Sequence, residues 1–354
     1  MSEPAPHTSL RALESAAKDV LPQATFDYIA GGGWDEVTLA ANETAFRARR
    51  LMPRVLVDVA AVTTNTTLLG VPVDAPFGFA PTAMHGMVHP EGELVGARVM
   101  ADLGLPFALS TLSNQSMEAV AQAAPDALRW FQLYVNVDRG VARSHVERAA
   151  AAGYRAIVVT VDVPGDGLRP RDLRNGFRPV GRYGNLEAGV DYETPLADLL
   201  DGLIDGGLTW ADIDEIRSWS DLPVVIKGIL SPADALLAVE HGAEGIWVSN
   251  HGGRQLDRAI TSLDALGPVA DAVGDRAEIY LDSGVRDGVD IVTALACGAR
   301  AVFLGRPFLY ALAAGGEAGL HRAASSLKRE TAKAMALLGT ARIEDIGPHH
   351  LAGA

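Results

Sequence analysis

The sequence predicts an α/β chain folded as a (β/α)8 barrel, a TIM barrel with an N-terminal helical segment and a short capping hairpin. Two patterns carry that expectation. From about Ala75 onward, short apolar runs recur at 77–80, 106–109, 130–133, 156–159, 223–226, 245–248, 278–281 and 301–304. They are mostly rich in β-branched or aromatic residues, as strands buried on both faces should be. Helix-like stretches alternate with them, and eight such units argue for a parallel sheet closed on itself. An open doubly wound sheet is the structural alternative, and the count of eight disfavours it. The length of 354 residues fits one large barrel domain with extensions.

The connecting segments support this pattern. Residues 91–103 carry acids in their first turn, 138–152 run basic toward their end, and 231–240 open with Ser231-Pro232, an N-cap followed by a first-turn proline. Ahead of the barrel, 10–19, 22–30 and 36–46 read as helices, and Gly31-Gly32-Gly33 reads as a hinge between two of them. Residues 55–74 include a Thr-rich, β-prone stretch with turn signals, expected as a hairpin on the barrel floor. Residues 178–208 form a longer, Gly-rich connection after the fourth strand, where a lid or a disordered segment is expected. Residues 317–338 read as a final helix. The whole of 1–354 is expected as one domain, with helices and hairpin in 1–74, barrel in 75–312, and helix and tail in 313–354.

Composition narrows the function classes. The hydrophobic share is 48% and the charged share 21%, ordinary globular values. Asp and Glu total 44 against 30 Lys and Arg, a formal charge of −14. Nucleic acid and anionic membrane surfaces are therefore poor partners, although one local cationic pocket remains compatible with that balance. A single cysteine precludes an intrachain disulfide and suits a reducing, cytoplasmic setting. The N-terminus has neither a basic nor an apolar signal region, and no apolar run is long enough to span a bilayer.

Barrel enzymes place their chemistry in the loops after the strands. Here those loops hold Pro81-Thr82-Ala83-Met84, Ser110-Thr111-Leu112-Ser113, Gln132-Leu133-Tyr134, Thr160-Val161-Asp162, Lys227-Gly228, Ser249 to Arg254, Asp282-Ser283-Gly284-Val285-Arg286 and Gly305-Arg306-Pro307. The last two combine small residues with guanidiniums at the position where barrels commonly bind phosphate. Tight turns with surface arginines are the plainer alternative, and the paired loops weigh against it. His251 and Arg254 share one short loop and could present a base and an anion anchor to the same small molecule. Asp162, at another strand end, could orient the His251 ring and stabilise its imidazolium. A lone His is usually a satisfied core residue, but Gly252-Gly253 and Arg254 reverse that preference. Lys227 closes an apolar strand, either as a Schiff-base lysine or as a fixed charge beside a cofactor that becomes anionic.

The stretch Ser249-Asn250-His251-Gly252-Gly253-Arg254-Gln255-Leu256-Asp257 resembles the active-site signature of the FMN-dependent 2-hydroxy-acid oxidases and dehydrogenases, among them glycolate oxidase, lactate oxidase and hydroxymandelate oxidase. The resemblance runs from Leu21-Pro22 and Phe26-Asp27-Tyr28 through His89-Pro90-Glu91-Gly92-Glu93 and Phe131-Gln132-Leu133-Tyr134 to Gly305-Arg306-Pro307. It implies an (S)-2-hydroxy acid as substrate, FMN as cofactor, and O2 as acceptor with release of hydrogen peroxide. His251 then takes a proton as the substrate's Cα–H is oxidised, by hydride transfer or through a carbanion. Asp162 supports the imidazolium. Arg254, Tyr134 and Tyr28 hold the carboxylate, and Arg169 lies where the family has a second substrate-facing arginine. Lys227 stands near the flavin N1, which settles that residue as an electrostatic group. Pro81, Thr82 and Ala83 lie along the isoalloxazine, and Ser110, Gln132, Thr160 and Ser249 serve its polar edge. Asp282, Ser283, Gly284, Arg286, Gly305 and Arg306 hold the phosphate. A homotetramer is also implied.

The chain departs from the family pattern at Gly167-Leu168-Arg169-Pro170, where Gly-Arg-Arg and an acid are usual. Leu112 replaces the tryptophan of glycolate oxidase, which opens the pocket to a larger, aromatic or branched substrate. Residues 178–208 lack the long apolar insertion of membrane-bound mandelate dehydrogenase. Two rival activities share the fold: a dehydrogenase passing electrons to a quinone or carrier protein, and an FMN-barrel isomerase. The isomerase would not need a carboxylate clamp. His85 and His89 have metal-pair spacing, but Gly86 and Pro90 oppose a helix there, so loop contacts are expected and no metal. Cys297 is expected as an inert buried thiol, and Trp34, Trp210 and Trp219 as packing residues.

Overall fold

The computed structural model describes residues 9–178, 181–186, 200 and 202–353. Three helices lead the chain: α1 (Leu10–Val20), α2 (Gln23–Ala30) and α3 (Val37–Ala48). Ser9 caps α1 by accepting a hydrogen bond from the Ala12 amide. The expected hairpin follows as β1 (Thr66–Leu68) and β2 (Val71–Val73), paired antiparallel. Its turn residues, Leu69 and Gly70, both have positive φ, as the tightest hairpin turns require. The Leu69 amide donates to Glu278 at 3.1 Å, which ties the hairpin to the N-terminal end of a barrel strand. The hairpin therefore covers the floor.

The barrel strands are β3 (Phe77–Phe79), β4 (Phe107–Ser110), β5 (Arg129–Leu133), β6 (Ile157–Thr160), β7 (Val224–Ile229), β8 (Gly245–Val248), β9 (Glu278–Leu281) and β10 (Ala301–Leu304). They close in the order β10-β3-β4-β5-β6-β7-β8-β9, with every pair parallel. That closure excludes the open sheet. Side chains alternate along each strand. Trp130, Val158, Val225, Trp247, Tyr280 and Phe303 fill the barrel interior, where the Trp247 and Phe303 ring centroids are 4.1 Å apart. Phe79, Phe107, Phe131, Val159 and Leu281 point outward to the helices. The packed interior leaves open only the end at which the strands finish.

The outer layer comprises α4 (Glu93–Asp102), α5 (Met117–Ala123), α6 (Arg139–Ala151), α7 (Pro170–Asn175), α8 (Trp210–Arg217), α9 (Pro232–Glu240), α10 (Ser262–Val273), α11 (Gly288–Ala296) and α12 (Arg306–Leu338). α12 starts earlier than the sequence suggested, because Pro307 fits the first turn of a helix. It breaks at Gly316, whose φ is +57°, so 317–338 is its second half. Most of the expected lid, 178–208, lies outside the described residues. Trp34 departs from expectation: it is 41% exposed, on a turn where its own φ is positive. Trp210 and Trp219 do pack against the core. Among the described residues, no helix is long and apolar enough to cross a membrane.

Candidate active site

A cavity of about 1110 Å³, counted out to its open mouth, lies at the C-terminal ends of the strands. Pro81, Thr82 and Ala83 wall it on one side, with Ser110, Leu112 and Tyr134 beside them. Tyr28, Arg169, His251 and Arg254 also line it. Lys227, Asp282, Ser283, Gly284, Arg286, Gly305 and Arg306 continue the wall. Four predicted residues stand just behind it: Gln132, Asp162 and Ser249 are bonded to lining residues, and Thr160 is bonded to Gln132. Gln132 accepts from Ser110 Oγ at 3.2 Å and donates to Thr160 Oγ1 at 2.9 Å, which fixes which amide atom faces each neighbour.

The β8 loop turns sharply, with His251 at φ +58° followed by two glycines of positive φ. His251 is therefore held in a sparsely populated backbone conformation at the cavity edge. Its Nδ1 lies 3.0 Å from Asp162 Oδ1. A carboxylate can only accept there, so Nδ1 carries a proton, and in the neutral ring that tautomer leaves the lone pair on Nε2. Burial acts to raise the Asp162 pKa, but the neighbouring His251 and Lys227 charges prevail and hold it below the usual carboxylate range. Its Oδ2 is buried without a hydrogen-bond partner. Asp162 is thus an ionised group oriented toward the imidazole.

Lys227 Nζ lies 3.1 Å from Ser249 Oγ and 3.3 Å from Asp282 Oδ2. Asp282 is itself fixed by Ser249 Oγ and Ser283 Oγ at 2.7 Å and by Trp247 Nε1 at 3.0 Å. The ammonium is held rigid, as an electrostatic role requires and a Schiff base does not.

Two guanidiniums share an unusual support. Arg254 donates to the carbonyls of Tyr28 at 2.6 Å and Gly31 at 3.2 Å, and lies 4.7 Å from the Tyr28 ring centroid. Arg306 donates to the carbonyls of Ile29, Gly31 and Gly252 at 2.8–3.0 Å. The C-terminal end of α2 therefore grips both through carbonyls, which orient the cations without neutralising them. Burial, with Arg254 nearby, brings the Arg306 pKa down to about 10, still cationic at neutral pH. Arg286 pairs with Glu43 at 3.1 Å. Beside these lies a turn with Ser283 at φ +77° and Gly284 at φ +95°, and the N-terminus of α12 at Gly305-Arg306. A Cβ on Gly284 would strike the Asn42 carbonyl. Arg306, held by carbonyls in place of an acid, together with Arg286, small residues and a helix N-terminus, makes an anion cradle suited to a phosphate.

Tyr28 stacks on Phe177 with centroids 4.1 Å apart. Burial pushes the phenols of Tyr28 and Tyr134 up, so both remain hydrogen-bond donors. Arg169 is less free than the sequence suggested. Its Nη2 lies 2.7 Å from Asp166 and its Nε 2.7 Å from Asp172.

Sequence reasoning missed several contributors. Gln255 stitches two loops together, donating to the carbonyls of Asp162 and Gly165 at 3.0 Å and accepting from the Gly167 amide at 3.1 Å. Glu93, fully buried, accepts from the amides of His85, Asn114 and Gln115. His85 makes a loop contact, as expected, with Nε2 2.7 Å from Thr82 Oγ1. Among the described residues, no group of His, Cys, Asp and Glu could hold a metal.

The chain matches, over residues 17–353, the family model described as FMN-dependent dehydrogenase. It belongs to that family, the FMN-dependent 2-hydroxy-acid oxidases and dehydrogenases. A family member described as L-lactate oxidase from Nostoc sp. is 47% identical, with 94% of each chain covered. Glycolate oxidase from Spinacia oleracea is 41% identical over 98% of this chain and 95% of its own. A solved structure of mandelate oxidase with (S)-4-hydroxymandelic acid superposes with a TM-score of 0.93 at 41% identity, covering 97% of this chain and 98% of that one. Membership makes the chain an FMN-dependent oxidoreductase. The site fits the cofactor: the anion cradle suits its phosphate, and the fixed Lys227 ammonium lies along the same cavity.

Proposed function

We propose that the cavity binds FMN and a 2-hydroxy acid together, and that His251 and Arg254 divide the work on the acid. The chain oxidises a 2-hydroxy acid to a 2-oxo acid, as its family does. The observation that carries the residue assignment is the placement of an imidazole with a free Nε2 and a guanidinium without an acid partner on one loop, lining one cavity. Arg254, with the hydroxyls of Tyr28 and Tyr134, receives the carboxylate. His251 Nε2 takes the proton the oxidation releases, from the hydroxyl if a hydride leaves Cα, or from Cα itself in the carbanion order. Asp162 holds the ring in the required tautomer and stabilises it once charged. Lys227 keeps a fixed positive charge beside the cofactor. Pro81, Thr82, Ala83 and Ser110 would border its ring, backed by Gln132, Thr160 and Ser249, and the loops of 282–286 and 305–306 would hold its phosphate. Bound FMN would supply the two-electron chemistry that side chains lack, with O2 as the final acceptor and hydrogen peroxide as the second product.

We infer a substrate larger than glycolate, aromatic or branched, from the apolar wall of Met87, Leu112, Val163 and Leu200. We also place the protein in the cytoplasm, as one functional unit over 1–354, on its lone cysteine and single closed barrel. Self-association, as a tetramer, is supported by an exposed apolar run: Val55 at 82%, Leu56 at 104%, and Leu337 on the adjoining end of α12. An anaerobic panel of 2-hydroxy acids, scored by loss of flavin absorbance, tests the reading. Aromatic and branched acids should bleach the flavin faster than glycolate, and air should restore the colour with one peroxide per turnover. Bleaching by none of the acids, or turnover only with a quinone, would refute it.

A further inference from the structure

The loop that carries His251 is held from outside the barrel as well as from within it. α3 presents Leu39, Asn42, Glu43 and Phe46 on one face, at the three- and four-residue spacing of a helix. That face meets two loops of the cavity. On the catalytic side, a Cβ on Gly253 would lie 2.6 Å from the Leu39 amide nitrogen. On the phosphate side, a Cβ on Gly284 would strike the Asn42 carbonyl and lie 3.1 Å from the Phe46 ring, and Glu43 pairs with Arg286 at 3.1 Å. Asp257, just after the catalytic loop, ties in the start of the same helix by accepting from the amides of Asp35 at 3.2 Å and Thr38 at 2.8 Å.

A reciprocal amide pair sits at the centre of this contact. Asn42 Nδ2 donates to Asn250 Oδ1 at 2.9 Å, and Asn250 Nδ2 donates to Asn42 Oδ1 at 2.7 Å. Asn250 Oδ1 also accepts from the Gly253 amide at 3.1 Å, and its Nδ2 donates to the Ile260 carbonyl at 3.2 Å. Both hydrogens and both lone pairs of the Asn250 amide are therefore used, half of them by Asn42. Asn42 is 2% exposed and Asn250 6%, so bulk solvent offers no ready substitute for either bond.

The bond from Gly253 to the Asn250 side chain closes over His251 and Gly252. His251 holds φ +58° in that turn, a conformation that a residue with a side chain keeps only when its surroundings fix it. The contact with Asp162 restrains Nδ1 alone, and the backbone that aims Nε2 is set by the turn. The Arg254 guanidinium, by contrast, has its own anchors at the carbonyls of Tyr28 and Gly31. The amide pair therefore bears on the imidazole more than on the carboxylate anchor.

Resting on the reading of His251 as the base, we propose that Asn42 is a positioning residue for the oxidation: by filling half of the Asn250 amide, it keeps the His251 turn left-handed and Nε2 aimed at the bound acid. α3, which precedes the barrel in the chain, thereby braces the catalytic loop and the phosphate turn against one another.

The test mixes FMN-loaded protein anaerobically with its preferred hydroxy acid in a stopped-flow instrument. Asn42→Leu removes both bonds and should lower the limiting rate of flavin reduction by about tenfold to a hundredfold, the scale of a small misplacement of a reacting group. The acid concentration that gives half that rate should stay within about threefold of wild type, because the Arg254 cation keeps its anchors. Asn42→Ala leaves room for water at the Asn250 amide and should lose rate in the same direction, by less. Combining Asn42→Leu with His251→Ala separates positioning from general damage: a residue that acts through the imidazole has almost no effect once the imidazole is gone. Equal fold-losses in the two backgrounds would overturn the proposal. So would unchanged reduction rates in both Asn42 variants, or failure of both to fold or to retain FMN, each of which would make the pair a brace of the fold alone. Bleaching by His251→Ala as fast as wild type would instead sink the assignment of the base, a separate result.

Discussion

Two His–Asp pairs in this molecule share the same Nδ1–oxygen distance and have very different surroundings. His251 Nδ1 lies 3.0 Å from Asp162, and His241 Nδ1 lies 3.0 Å from Asp214. The first pair stands at the barrel mouth, where the Asp162 side chain is 13% exposed and has the Lys227 charge nearby. The second joins the end of α9 to α8 on the outer layer, where the Asp214 side chain is 58% exposed. His241 also stacks on Trp210 with centroids 5.8 Å apart. A bond length therefore says nothing about catalysis. What separates the pairs is burial, a second fixed charge, and a cavity onto which the imidazole opens.

The comparison breaks most sharply if the mouth pair can be removed without consequence. His251→Ala should slow anaerobic flavin bleaching by the preferred hydroxy acid by about 10²–10⁴-fold, the usual contribution of a positioned acid–base group. The protein should stay yellow, because His251 is not part of the phosphate cradle. Rapid single-turnover bleaching in a stopped-flow mixer would show that another group takes the proton.

Arg254→Met is expected to come next. Truncating a partly buried anchor that meets a charged ligand costs about 2–5 kcal/mol, which should appear chiefly as a raised KM for acids. Methyl esters of the same acids should lose far less, since they bring no full negative charge to the clamp. Equal losses for acid and ester would reassign Arg254 to a structural role at the carbonyls of Tyr28 and Gly31. Its cation is held by those carbonyls in place of a carboxylate, a feature that also distinguishes the mouth from the outer layer.

That feature was not legible in the sequence, and the reason is physical. The eight strands were readable because a parallel barrel buries both faces, so each strand announces itself as an apolar run. Trp130 facing in and Phe131 facing out are both hydrophobic for that reason. His251, Arg254 and Lys227 were readable because ionisable residues are costly directly after such runs and stay there only with a purpose. Gly31 looked like a hinge, yet its carbonyl accepts from both Arg254 and Arg306. A carbonyl acceptor has no letter in the sequence. The Asp166-Arg169-Asp172 fork was hidden for a different reason. Acids three residues either side of an arginine look like any solvated loop, and only the fold places one of them on the cavity wall.

The smallest expected effect belongs to the outer pair, and it sharpens the contrast from the other side. His241→Ala removes a hydrogen bond to Asp214 between partly exposed groups, an ion pair whenever the ring is protonated, and such exposed contacts are worth about 0.2–1 kcal/mol because solvent takes back most of the Coulomb energy. Activity should be unchanged, since His241 is on the outer layer between α8 and α9. Thermal unfolding should shift by a degree or two at low salt and by less at 1 M salt, where screening reaches within a few ångströms. A salt-insensitive loss would mean that His241 stabilises through its stack on Trp210. In that case the two pairs would differ in the kind of force that holds them as well as in their solvent exposure. A loss of turnover with FMN still bound would be more damaging, because it would carry the effect of an outer-layer contact into the barrel mouth and remove burial as the property that tells the two pairs apart.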